Sequence, residues 1–165
     1  MTESIIPASM IGIKHDHQRC IHKAVKEAMT ICQQRGVRFT ALRQTVLELI
    51  WGNHKPLGAY HVLHALELQL GKTIAPPTVY RALDFLMQQG LIHKISSLNA
   101  FIGCLHPTQP HVGHFLICDS CGTTAEIELP SLTDNLTHCA QQLNFQINKQ
   151  TIELSGRCLQ CQQTK

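Results

Sequence analysis

The sequence predicts an α/β chain of the α+β type, with a mostly helical first half and a smaller α/β second half. Three observations predict it. Apolar residues recur at helical spacing in four successive segments between residues 21 and 90. Two short apolar runs around a polar turn follow at 91–104. Two Cys-x-x-Cys pairs, Cys118/Cys121 and Cys158/Cys161, then bracket a strand–helix–strand pattern.

The helices follow from their apolar positions and their ends. Ile21, Val25, Ala28 and Cys32 share one face, and Gly36 ends that helix. Thr40 is placed to cap a second helix with Leu42, Val46, Leu49 and Ile50 inward. The segment 52–58, with Asn53 and Pro56, breaks it. A third helix from Ala59 buries Val62, Leu63, Leu66 and Leu70 before Gly71 stops it. Pro76 and Pro77 are tolerated in a first turn, where missing N–H groups cost little. They open a fourth helix with Val79, Ala82, Leu83 and Leu86 inward and Gly90 near its end. Residues 91–95 and 100–104 read as a hairpin. Short helices closed by a hairpin make an N-terminal winged helix-turn-helix domain over 18–105. Residues 1–17 lack periodicity and read as a flexible arm; 106–113, punctuated by Pro107 and Pro110, read as a hinge.

The remainder, 114–165, is expected to form short strands around 114–118 and 123–128. A helix from Pro130 would bury Leu132, Leu136, Ala140 and Leu143, with a final strand region at 145–154. Fewer than 60 residues of this composition make a thin core. Both a metal and a partner chain are therefore expected to support it, which makes it a small C-terminal dimerisation domain.

Composition narrows the functional classes. At 44% hydrophobic the chain is expected to fold, and no run approaches the roughly twenty apolar residues that span a bilayer. Met1 to Ala8 carries Glu3 and no basic region, so it does not read as a signal peptide. Residues 1–98 hold 11 Lys/Arg against 6 Asp/Glu, whereas 99–165 hold 3 against 5. The first half is thus the one suited to phosphates, although an ordinary asymmetric surface would look the same. Eight cysteines, four of them in Cys-x-x-Cys pairs, suit a metal in a reducing compartment better than disulfides, so a cytoplasmic location is expected.

Those pairs are the strongest chemical signal. A two-residue gap lets both sulfurs reach one ion, and two pairs close a tetrahedron. A zinc held by Cys118, Cys121, Cys158 and Cys161 has no open position and would be structural. A redox pair asks for a lone Cys-x-x-Cys at the start of a helix, which fits poorly; an iron–sulfur cluster or disulfides remain as alternatives. Four further groups stand near the hinge: His93, Cys104, His111 and Glu126. No local spacing unites them. Taken alone, Cys104 reads as a small buried hydrophobe and Glu126 as a surface carboxylate. His15 and His17 read as solvated.

The run Thr78-Val79-Tyr80-Arg81-Ala82-Leu83-Asp84-Phe85-Leu86, then Gly90-Leu91-Ile92-His93-Lys94, resembles the ferric uptake regulator family, and its zinc uptake regulator branch in particular. Phe115 to Gly122 and the distal Cys158/Cys161 pair add to the resemblance, which runs from about Ala28 to Cys161. It implies a homodimeric repressor, not an enzyme, that binds palindromic operator DNA when its metal is bound and controls zinc uptake genes. By position, His93, Cys104, His111 and Glu126 correspond to regulatory zinc ligands. The four knuckle cysteines correspond to the structural site, giving two zinc ions per subunit. Tyr60 and Arg81 correspond to DNA-contacting residues. The histidine run before the first knuckle is sparse, and Gln150 stands where a further family metal site has a histidine. His114 is therefore read as a surface histidine. His64 and Glu67 replace an acid–base pair that bridges dimers in some relatives.

Ligand chemistry also favours zinc, because two imidazoles, one thiolate and one carboxylate make a four-coordinate, partly soft site. Helix 76–89 would enter the major groove, with Arg81 on a guanine or a phosphate and Tyr60 on the backbone or in a structural role. Arg43, Lys55, Lys94, Arg19, Lys23, Lys26, Arg35 and Arg38 are candidate backbone contacts. The competing readings are a hydrolase with His93, His111 and Glu126 on a catalytic zinc, and a zinc-storage module. The first lacks a His-Glu-x-x-His helix; the second gives Arg81 no role. No membrane or small-molecule substrate is expected.

Overall fold

The computed structural model describes residues 17–52, 55–109 and 111–163; the arm assigned to 1–17, except His17, and the candidate His15 lie outside them. The described residues divide into two compact units that part between Gln109 and His111.

The first unit runs α1 (His17–Gln34), α2 (Ala41–Trp51), β1 (Leu57–Gly58), α3 (Ala59–Leu70), α4 (Pro76–Gln88), β2 (Ile92–Ile95) and β3 (Ala100–Gly103). Its core is built where the helical periodicities meet: Ala28 and Cys32 of α1, Val46 and Ile50 of α2, Val62 and Leu66 of α3, and Val79, Leu83 and Leu86 of α4. Thr40 caps α2, its hydroxyl oxygen accepting the Arg43 backbone N–H at 3.4 Å. The α3–α4 turn is fixed from both ends. Gly71 N–H donates to the Glu67 carbonyl, and the Glu67 carboxylate accepts the Ile74 N–H at 2.9 Å. Pro76 and Pro77 occupy the first turn of α4.

The hairpin closes the unit, with Ile92 opposite Gly103 and Ile95 opposite Ala100. The segment read only as a break contains β1, which pairs with β3 through Leu57 and Phe101, so the wing is a three-stranded antiparallel sheet of order β1-β3-β2. Three packing expectations are corrected. α1 begins at His17 and turns Ala24, Ala28, Ile31 and Cys32 inward, leaving Ile21 and Val25 only partly covered. Phe85 joins the buried face of α4. Leu70 is exposed, because it ends α3 on the side away from the core.

The second unit runs β4 (His114–Cys118), β5 (Thr124–Ile127), α5 (Pro130–Gln142), β6 (Ile152–Gly156) and α6 (Leu159–Gln163). β4 is central, antiparallel to β5 and parallel to β6, with α5 as the crossover. The final strand is later and shorter than the 145–154 expected, and α6 was not foreseen. The α5 expectation is also corrected, since no residue of that helix is buried. Leu136, Leu143, Phe145, Ile147 and Leu154 are all exposed.

One close approach shapes the wing. A Cβ on Gly103 would lie 2.2 Å from Trp51 Cε2, so the indole at the end of α2 packs flat on β3 only because that residue has no side chain. Gly103→Ala is expected to destabilise the first unit by about 1–3 kcal/mol through overpacking. Urea denaturation followed by circular dichroism checks this, and an unchanged midpoint would show that the indole relocates without cost.

Candidate metal centres and nucleic-acid interface

The paired knuckles converge. Cys118 ends β4, Cys121 follows in the turn to β5, and Cys158 and Cys161 flank the start of α6. Their four sulfurs lie within 4.8 Å of one another. The first knuckle is tightened by Gly122 N–H donating to the Cys118 carbonyl at 2.8 Å and by Cys118 N–H donating to Thr123 at 2.9 Å. The second is tied to it through Asp119 N–H donating to Gly156, also at 2.8 Å. Cys121 and Cys158 Sγ are 3.8 Å apart, too far for the roughly 2.05 Å disulfide bond.

The electrostatics fit a cation. Backbone N–H groups surround Cys118, that of Cys158 first and those of Cys121 and Ser120 after it, and they bring its thiol down to about 6. The Thr123 hydroxyl, 3.2 Å away, lowers Cys121. Cys161, beside the sulfurs of Cys158 and Cys121, is pushed up to about 12. Some of these thiols are prepared to ionise while crowding holds another protonated. A divalent ion at their centre would release that conflict, and four sulfurs leave it no open position.

The second constellation is built from two pairs, one in each unit. In the first unit, His93 lies on β2 opposite Ile102, and Cys104 follows β3, its N–H donating to Leu91 at 3.0 Å. Their ligand atoms are within 4.8 Å. In the second unit, His111 Nε2 and Glu126 Oε1 are 2.7 Å apart. Glu126 is 4% exposed, which corrects its reading as a surface carboxylate, because β5 turns it inward opposite Phe115. His114 is likewise not a surface histidine: it is 1% exposed, and neither ring nitrogen has a hydrogen-bond partner among the described residues.

The candidate DNA-facing residues are solvent-exposed. Tyr60, at the start of α3, is 75% exposed. Arg81 stands on the outer face of α4 with Tyr80 and Asp84, opposite the buried Val79, Leu83 and Leu86. Tyr80 and Asp84 were missed as candidates, although their place in the helical period is that of Arg81. Three of the proposed backbone cations are engaged within the unit. Arg35 donates to the carbonyl and side-chain oxygen of Gln89, at 2.8 and 3.1 Å. Arg43 donates to the Arg38 carbonyl and lies 3.5 Å from the centre of the Phe85 ring. Lys23 pairs with Glu27 at 3.8 Å.

Comparison with known proteins fixes the lineage. The sequence pattern of the ferric uptake regulator family matches residues 34–155. The chain belongs to that family. The zinc uptake regulation protein of Escherichia coli is 38% identical over 136 residues, 82% of this chain and 79% of that protein. A solved zinc uptake regulator complexed with zinc and DNA aligns with a TM-score of 0.80 at 36% identity, covering 90% of this chain and 96% of that one. The structure of holo XcZur aligns at 0.78 and 42% identity, covering 85% and 97%. Within the ferric uptake regulator family the similarity therefore lies with its zinc uptake branch, whose members regulate genes rather than catalyse reactions.

Cys121→Ser is expected to abolish the metal of the four-sulfur centre and partly unfold residues 114–165. Metal analysis with circular dichroism tests this; full metal content with native thermal stability would refute a structural role for the tetrad.

Proposed function

We propose that this protein is a zinc-responsive transcriptional repressor. As a homodimer it binds palindromic operator DNA when zinc is bound, and it controls zinc uptake genes in the cytoplasm. The observation that carries this reading is the four-sulfur centre, joined by the 36% identity to a zinc uptake regulator solved with zinc and DNA. His93 and Cys104 belong to the unit bearing α4, and His111 and Glu126 to the unit held by the four sulfurs. Two imidazoles, a thiolate and a carboxylate are a ligand set suited to zinc, the two anions offsetting its charge.

Domain boundaries follow the same logic, with a winged-helix domain over 18–105, a hinge over 106–113 and a dimerisation domain over 114–165. Two zinc ions per subunit have different tasks: the ion at Cys118, Cys121, Cys158 and Cys161 holds the dimerisation domain together, and the ion at His93, Cys104, His111 and Glu126 senses. The sensing site needs only a higher affinity for the DNA-competent arrangement. A ten-thousandfold preference, roughly 5.5 kcal/mol, moves such a switch from mostly open to mostly closed. The homodimer reading is supported by Leu136 of α5, Leu143, Phe145 and Ile147 of the connection after it, and Leu154 of β6, all of which are exposed. Two copies of α4 then read two half-sites, with Arg81 on a base or phosphate and Tyr60 on the backbone. No helix among the described residues is long and apolar enough to cross a membrane.

Cys104→Ser separates sensing from folding. The variant is expected to keep one zinc per subunit and remain dimeric, yet to require far more free zinc for operator binding. A zinc-buffered DNA titration with metal stoichiometry decides; wild-type zinc dependence would return Cys104 to the core. Arg81→Ala should lower specific operator affinity by roughly 1–3 kcal/mol, if it makes a bidentate base contact, with zinc content unchanged. Fluorescence anisotropy checks it, and unchanged affinity would make Arg81 a solvated charge. A storage module would bind zinc equally well and no operator at all.

A further inference from the structure

We propose that Gly113 is a positioning residue for the sensing site: having no side chain, it leaves room for both the Phe115 ring and the Glu126 carboxylate, so that Oε1 stays at His111. The inference rests on the proposed role of His111 and Glu126 as zinc ligands.

Phe115 and Glu126 are directly opposed across β4 and β5, so both side chains stand on one face of the sheet. Gly113 lies two residues before Phe115. A Cβ built on it would meet Phe115 Cζ at 2.7 Å, Phe115 Cε2 at 3.0 Å and Glu126 Oε1 at 3.2 Å. The last atom is the one that lies 2.7 Å from His111 Nε2. A side chain at this one position would thus crowd both the ring and the ligand oxygen.

The displacement has no cheap outlet. Phe115 is 2% exposed, so its stiff ring cannot swing into solvent. Glu126 is nearly as buried, and its carboxylate is the more mobile of the two groups. Any residue larger than glycine therefore drives the carboxylate from His111 or forces the ring into the sheet. Buried partners that orient a ligand typically govern metal affinity by about 10–100-fold. The burial of Glu126 also keeps water from the carboxylate, which favours a four-coordinate zinc over ions that gather more oxygen ligands.

The test compares full-length wild type, Gly113→Ala, Phe115→Leu and the double variant, each with zinc already in the four-sulfur centre. Competitive zinc titration should show Gly113→Ala about 10–100-fold weaker at the sensing site. Cobalt(II) added there should lose the intense visible bands of four-coordination, while the zinc of the four-sulfur centre is retained. In the double variant the smaller side chain at 115 leaves room for the methyl, so affinity should return to that of Phe115→Leu alone. Wild-type affinity and spectrum in Gly113→Ala would overturn the proposal, as would additive losses in the double variant or loss of the four-sulfur zinc. With zinc in the four-sulfur centre and no second metal added, the imidazole nitrogen shifts of His111 should report the Nε2 hydrogen bond in wild type and its loss in Gly113→Ala. Unchanged shifts overturn the positioning role. If the wild type took up no second metal, the ligand assignment would fall, and these shifts would still decide what Gly113 does.

Discussion

Four sulfurs within 4.8 Å of one another are the constraint around which the second unit is organised. Neutral thiols gain little from such crowding, and four thiolates would repel strongly. The fold prepares for a cation by lowering Cys118 with backbone N–H groups while Cys161 is forced up by its neighbours. The cluster also does what hydrophobic packing cannot. Among the described residues, the buried side chains of this unit lie on β4 and β5 and include His114, Thr124 and Glu126, poor material for a core. A metal there joins the β4–β5 turn to the segment after β6, so the sheet that carries Glu126 is closed by coordination rather than by apolar area.

The first unit is stabilised differently. Its four helices and wing share one continuous apolar cluster, and its arginines are partly spent on internal structure. Arg35 clips the end of α1 to the end of α4, and Arg43 lies on Phe85 of the same helix. These contacts hold the exposed row of Tyr80, Arg81 and Asp84 against a rigid base. Glu67 completes the frame, accepting the Ile74 N–H just before the two prolines that start α4. α4 is thereby fixed at both ends without using its outward side chains.

Much of this was legible in the sequence where the signal was local. Thr40, Gly71 and Pro76-Pro77 mark helix ends through backbone chemistry that acts within one turn, and the knuckle spacing shows the four-sulfur centre directly. What was missed depends on distant partners. β1 is two residues long and exists only by pairing with β3, so no periodicity could announce it. α5 has the apolar stripe of a buried helix, yet none of its residues is buried and Leu136 is exposed. Glu126 and His114 look like surface residues because their types usually are; their burial follows from where β4 and β5 lie in the sheet. His93, Cys104, His111 and Glu126 came from family resemblance alone, since tertiary structure rather than spacing pairs them. Tyr80 and Asp84 were visible as exposed positions of the α4 period but lacked a signal separating them from ordinary surface.

The packing of Trp51 on Gly103 has a further consequence. This is the only tryptophan in the chain, and its indole rests on the residue immediately before Cys104. The wing therefore carries its own optical label. Its emission depends on the polarity and rigidity around the indole, and a coloured ion such as cobalt(II) on the neighbouring sulfur would drain that emission by energy transfer. Occupancy beside β3 can thus be followed in the unmodified protein, at micromolar concentration and in real time, without a dye, a tag or a DNA probe.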